Sequence, residues 1–252
     1  MRLINTNTFE LKEFFNYGIP RYSILSHCWG SEEVTYQEWQ AWRSDPSWKE
    51  NGWKTAKPGY QKTLNFCQLT RGAYLIEWAW VDTMCIDKTS STELTEAINS
   101  MFAWYTKAAV CVAFLEDVGD GQGGAGPDLR NSRWFTRGWT LQELIAPSHV
   151  DFYTSGWHEC GNKRDDAQLI SGITSIPVEV LQQSKTVLEF PVATRFSWAR
   201  IRTTTRVEDI AYCLLGIFGI EMPLLYGEGI KAFRRLQEEV IKRGVDHSIL
   251  TW

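Results

Sequence analysis

The sequence predicts an α/β fold: a parallel sheet flanked by helices, with a large insertion after the first strand and a mostly helical C-terminal extension. Three observations predict it. Between residues 20 and 155, short apolar runs alternate with stretches of helical periodicity, strand before helix each time. The run "AAVCVAFL" (Ala108–Leu115) is apolar throughout, as strands covered on both faces of a parallel sheet tend to be. After about residue 155 the pattern turns helical and includes the amphipathic segment "GEGIKAFRRLQEEVIKRG". The chain therefore reads as one domain over residues 1–252, with an α/β core at 20–155 and a helical extension at 156–252 packed on it. Ligands of such sheets bind beyond the carboxyl ends of the strands, so a site is expected there.

The elements follow in order. "YSILS" (Tyr22–Ser26) is the first strand, broken by the turn "HCWG". Residues 31–59, polar and rich in Trp, Gly and Pro, read as an inserted loop with one helical turn. "YQKTLNFCQLTRG" is a helix closed by Gly72, which can take the left-handed cap conformation. "AYLIEWAWVD" (Ala73–Asp82) is the next strand. Ser90 and Glu93 form a capping-box pattern ahead of a helix whose Leu94, Ala97, Ile98, Met101, Phe102 and Tyr105 share one stripe. Ala108–Leu115 is the third strand, and "GDGQGGAG" after it is slack chain, too irregular for a phosphate loop. "SRWFTRGWTLQELIAP" (Ser132–Pro147) is a helix ended by its proline, and "HVDFY" is a fourth strand. A second capping box, Thr205 to Glu208, opens the helices of the extension.

Bulk properties exclude several classes. A net charge of −4 offers no electrostatic reason to bind nucleic acid or an anionic membrane. The longest apolar run, Ile210–Ile220, is far short of the ~20 residues of a membrane span. The segment "MRLINTNTFELKEFF" is too polar for a signal peptide. Six scattered cysteines in apolar surroundings suggest buried reduced thiols and a cytoplasmic protein, with no pair spaced for zinc. The 13 tryptophans suit packing or an aromatic-lined cleft.

The segment Ser132–Pro147 carries the principal candidate. At about 100° per residue, Leu141, Leu144 and Ile145 fall on one side, nearly opposite Trp139, and Glu143 lies about 40° from Trp139. Glu143 is then either a solvated acid beside a half-exposed indole or a carboxylate facing a cleft with an indole wall, which suits a cationic or aromatic ligand. His27 and Cys28 end the first strand and point to opposite sides, so they are not a nucleophilic pair. Asp82 and Asp87 are either functional or loop-capping. Arg133 and Arg137 meet either phosphates or surface acids. Glu208 and Asp209 read as helix-start residues.

Four blocks in order, "YSILSHCWG", "WVDTMCIDKTSSTELTEAINSMFAWY", "SRWFTRGWTLQELIAP" and "TTRVEDIAYCLLGIFGIEMPLLYGEGIKAFRRLQEEVI", resemble the fungal heterokaryon incompatibility (HET) domain over nearly the whole chain. The resemblance implies a cytoplasmic effector of cell death after fusion of unlike fungal cells. It also implies self-association on activation and a nucleotide-binding receptor module, in cis or in trans, as partner.

From Tyr22 to about Ala146 the element order also resembles a Toll/interleukin-receptor (TIR) domain. "WTLQEL" is similar to the block that carries the catalytic glutamate of NAD+-cleaving members, with Thr140 where that block has cysteine. That resemblance implies Glu143 as catalytic residue and NAD+ or a related nucleotide as substrate, with no cofactor or metal. Substrate contacts would come from Ser26, His27, Trp29, Gly30, Asp82, Trp139 and Arg133 or Arg137. The chemistry suits one carboxylate. Nicotinamide leaves NAD+ as a neutral ring, so the requirement is to stabilise an oxocarbenium-like ribose. A non-catalytic, self-associating adaptor is the alternative. Core or lid packing, rather than membrane disruption, accounts for the amphipathic C-terminal helices.

Overall fold

The structure, a computed structural model, describes residues 1–15, 18–45, 57–121, 127–244 and 246–251. Its centre is a seven-stranded mixed sheet. The strands are β1 (Arg2–Asn5), β2 (Leu11–Glu13), β3 (Tyr22–His27), β4 (Trp78–Trp80), β5 (Val110–Phe114), β6 (Val150–Tyr153) and β7 (Glu159–Asn162), in the order β2-β1-β4-β3-β5-β6-β7. β4, β3, β5 and β6 run parallel to one another, while β1, β2 and β7 add antiparallel edges. The parallel strands were the legible ones. β1, β2 and β7 are short, and β1 is recruited through its pairing with β4, far along the chain. No local periodicity reports such a contact.

All six residues of β3 are buried, which makes it the spine of the core. On one face lies α4 (Ser91–Lys107) with its apolar stripe. The helices, in chain order, are α1 (Tyr36–Ser44), α2 (Pro58–Gly72), α3 (Asp82–Cys85), α4 (Ser91–Lys107), α5 (Thr140–Ile145), α6 (Ala167–Thr174), α7 (Val178–Leu181), α8 (Val192–Ser197), α9 (Asp209–Tyr212), α10 (Leu215–Phe218) and α11 (Lys231–Arg243). The expected stripe of α4 is present: Ala97, Ile98, Met101 and Tyr105 are buried, and Leu94 and Phe102 pack against the core. The insertion after β3 holds α1, a full nine-residue helix capped by Thr35 and Glu38, where one turn was expected. Residues 46–56 of that insertion, and 122–126 of the glycine-rich stretch, lie outside the described residues.

Several local expectations are corrected. Strand β4 is three residues long rather than Ala73–Asp82. Gly72 stays helical, and the left-handed residue that turns the chain is Leu75 (φ 53°). Ser90 does accept from the Glu93 amide at 3.3 Å, but the Glu93 carboxylate turns away to Arg2 and the Asp87 amide, both at 2.8 Å. Only half of the capping box forms, because a guanidinium is the stronger partner. Thr205 caps nothing. α9 starts at Asp209, and the Glu208 carboxylate accepts instead from the Gly227 and Gly229 amides at 2.8 and 3.0 Å.

The segment Ser132–Pro147 is not one helix. A 3-10 turn (Arg133–Thr136) is followed by a break at Arg137–Trp139 and then by α5. The break is tertiary. Gly138 N–H donates to Thr203 O at 2.9 Å, and Thr203 N–H donates to Thr136 O at 2.7 Å. A Cβ on Gly138 would lie 2.4 Å from Thr204 Cγ2, so this approach requires glycine. The extension thus docks on the core through backbone pairing. It docks again where Gly216 of α10 meets Phe102 of α4, with 2.1 Å between a built Cβ and Phe102 Cβ. Lys163 then seals the far end of α5, donating from a buried ammonium to Leu144 O (3.2 Å) and Pro147 O.

All six cysteines are free thiols and five are buried, as the composition led us to expect. No helix among the described residues is long and apolar enough to cross a membrane.

Candidate functional site

A cavity of about 320 Å³ opens beyond the carboxyl ends of β3 and β4. Its core-side wall is Leu25, His27, Cys28 and Trp29 from β3 and its following turn, with Asp82 after β4. α4 lines it with Leu94, Ile98, Met101 and Tyr105, and α5 with Thr140 and Glu143. This is where parallel strands end and their loops diverge, so the backbone leaves room for a ligand. The volume falls at the lower end of the range for small-molecule pockets.

Glu143 is the buried acid on the sheet side of this cavity, with Asp209, equally buried, on the side of the extension. It is 8% exposed, and every residue of α5 is buried. Of the two expected placements of Glu143, the solvated acid is excluded and the inward carboxylate remains. Trp139 is the residue preceding α5, and the six-residue helix is enclosed between sheet and extension. The Glu143 carboxyl accepts the hydroxyl of Ser26, whose oxygen accepts the Trp134 indole N–H at 2.8 Å. Burial pushes the Glu143 pKa up to about 8, against the Ser26 hydrogen bond, and the charge of Asp82 pushes in the same direction as burial. The group is therefore largely neutral at pH 7 until positive charge arrives beside it.

A second group of side chains stands at the mouth. Trp29 donates its indole N–H to Asp82 Oδ2 at 2.9 Å, and Lys88 Nζ lies 3.6 Å from the same oxygen. His27 is buried, its Nε2 3.6 Å from Glu33 and 3.9 Å from Asp82, with neither ring nitrogen hydrogen-bonded. Cys28 also lines the cavity, but burial pushes its thiol up to about 12, so it is no thiolate nucleophile.

The roof comes from the extension: Thr205, Arg206, Asp209 and Tyr226. Tyr226 donates to Asp209 at 2.9 Å and lies under the Arg206 guanidinium, 4.4 Å from ring centre to Cζ. Burial raises the Asp209 pKa, against the Tyr226 hydrogen bond. Arg137 donates to Thr205 at 3.0 Å. Behind it Arg202, 6% exposed, donates to Arg137 O at 2.8 Å and Thr140 Oγ1 at 2.9 Å, holding the start of α5 in place.

Of the residues expected from sequence, Glu143, His27, Trp29, Asp82, Arg137 and Trp139 line this one cavity. Ser26 stands behind Glu143 and reaches the site through it. Gly30 and Arg133 do not line it. Gly30 lines a neighbouring hollow of about 450 Å³. Arg133 is paired with Glu116 at 2.9 Å, the surface-acid alternative. Asp87 is a loop cap, accepting from Thr89 N–H at 2.9 Å. Sequence reasoning missed Tyr105, Lys88, Arg206 and Tyr226, and read Asp209 as the helix-start residue that it is without its place over the site. Tyr105 had a signal, since it closes the apolar stripe of α4 with a hydroxyl. The three from the extension had none, because only folding brings them over the sheet. Among the described residues no group of His, Cys, Asp and Glu is placed to hold a metal ion.

Comparison with known proteins bears on the identity of the chain. Residues 22–129 match the family model described as "Heterokaryon incompatibility protein (HET)". Vegetative incompatibility protein HET-E-1 of Podospora anserina is 43% identical over 233 residues, covering 89% of this chain and 16% of its own length. The chain thus spans about a sixth of that curated relative. No solved structure matches it.

Proposed function

Because this chain belongs to the heterokaryon incompatibility (HET) domain family, we propose that it is a cytoplasmic cell-death effector domain that cleaves the nicotinamide–ribose bond of NAD+ or a related nucleotide. It acts when self-associated, within or beside a larger nucleotide-binding receptor. One observation carries the catalytic part: a buried carboxyl, Glu143, in a cavity at the carboxyl ends of parallel strands. The similarity of "WTLQEL" to the glutamate-bearing block of NAD+-cleaving TIR domains supports the same residue.

The chemistry needs little more. The C1′–N bond breaks, its electron pair leaves with nicotinamide, and water then adds to the ribosyl cation and gives up a proton to solvent. Glu143 stabilises the cation, most strongly as charge develops on the sugar. A carboxyl near pKa 8 ionises when a positively charged ring enters, because the ring's charge lowers that pKa. Arg137 and Arg206 on the roof suit a diphosphate. Trp139 and Tyr226 suit flat rings.

The test is nicotinamide release from NAD+ by purified protein, tethered to favour assembly. Wild type releases it and Glu143→Ala does not; equal release by the two removes Glu143 from catalysis. A second reading, a non-catalytic self-associating adaptor, draws on the same burial, since a neutral inward carboxyl can serve packing alone. It requires Glu143→Gln to kill as well as wild type.

A further inference from the structure

The mouth of the cavity holds a positive charge of the protein's own. Lys88 Nζ sits 3.6 Å from the centre of the Trp29 ring and 3.6 Å from Asp82 Oδ2. The same carboxylate oxygen takes the Trp29 N–H at 2.9 Å, which fixes the indole relative to the acid. An indole face with a carboxylate at its edge is a receptor for an organic cation: the ring's negative face and the acid attract one charge from two directions. Trp29 is 49% exposed, so its ring face is open to a ligand at the mouth of the cavity.

Lys88 is half-buried in this position, its side chain still open to solvent on one side. Burial pulls its pKa down, against the opposing charge of Asp82. It follows α3 in the turn that leads to α4, so its side chain can swing out without disturbing a helix or strand.

We propose that Trp29 and Asp82 form a subsite for a cationic heteroaromatic ring, and that in the free protein Lys88 fills it as an internal stand-in which a ligand must displace. For the choice of ring this rests on the NAD+ reading, whose pyridinium is the cationic part of the substrate. The consequence for specificity is direct. An oxidised, charged ring competes with the ammonium for the indole face, whereas a neutral reduced ring has no charge with which to compete. Lys88 is then a brake on binding.

The probe is 1-methylnicotinamide, methylated on the ring nitrogen and so a pyridinium cation with no glycosidic bond, against neutral nicotinamide, both followed by ligand-observed NMR titration of the full chain. Lys88→Ala is expected to bind the cation about tenfold tighter than wild type and to gain nothing for nicotinamide. Lys88→Arg, which keeps a cation on the ring, is expected to gain nothing for either, and adding Trp29→Leu to Lys88→Ala cancels the gain. The proposal is overturned if Lys88→Ala binds the cation no better than wild type, or if the neutral ring gains as much. Because the probe cannot be cleaved, this result is independent of nicotinamide release. The subsite can stand if Glu143 proves non-catalytic, and it can fall while NAD+ is still cleaved.

Discussion

The hydroxyl of Ser26, at the penultimate position of β3, donates to the Glu143 carboxyl on α5, 117 residues further along the chain. Its own oxygen accepts the Trp134 N–H at 2.8 Å, so one small side chain ties strand, 3-10 turn and helix together. Ser26 therefore orients the candidate catalytic group without lining the cavity.

Ser26→Ala leaves a buried indole N–H without a partner and takes a donor from Glu143. A cost of about 1–3 kcal/mol is expected, measured as a shift in denaturant midpoint at unchanged slope. Since the Ser26 bond opposes the upward push of burial on Glu143, its loss moves that pKa higher still.

Glu143 makes folding depend on pH in a direction opposite to that of most carboxylates. Its folded pKa, about 8, stands above its ordinary value of 4.5. The folded state thus holds a proton that the unfolded chain releases in that interval. The resulting stabilisation is complete below about pH 4.5 and is lost as pH rises to about 8. Glu143→Gln, which cannot ionise, should flatten the pH dependence of Tm across this window. It should be the more stable protein at pH 8, by roughly 1–3 kcal/mol.

The same shift predicts the pH profile of turnover. If ionised Glu143 stabilises the ribosyl cation, kcat/KM for nicotinamide release rises with pH around a midpoint near 8. The midpoint in kcat lies lower, because a bound pyridinium favours the ionised form. A profile flat from about pH 6.5 to about pH 9 would remove Glu143 from the rate.

Gly216→Ala probes the seam between core and extension. The added methyl would sit 2.1 Å from Phe102 Cβ, and neither backbone can retreat without parting α10 from α4. Destabilisation of about 1–3 kcal/mol or more is expected. If the extension roofs the site, limited proteolysis should also show earlier cleavage after residue 200 than in wild type.

The parts legible in the sequence were those settled by neighbours along the chain. β3, β5 and β6, the apolar stripe of α4 and the thiols in apolar surroundings all follow from local periodicity and composition. Glu143 was legible as a lone acid in an apolar segment, although for the wrong geometric reason. A continuous helix over Ser132–Pro147 would set Glu143 beside Trp139 on one face, whereas Gly138 breaks that helix to pair with Thr203.

What the sequence by itself determined is the alternation of elements, and hence the parallel centre of the sheet with a cavity at its carboxyl ends. That order follows from which residues must leave water, a property each segment carries alone. Only the tertiary structure decided that Asp209, Arg206 and Tyr226 roof the site, that Arg133 faces Glu116 instead, and that Glu143 is inward and protonated near neutral pH. Those outcomes depend on contacts between segments distant in sequence. A carboxyl's charge depends on the water that every neighbouring segment, acting together, has excluded.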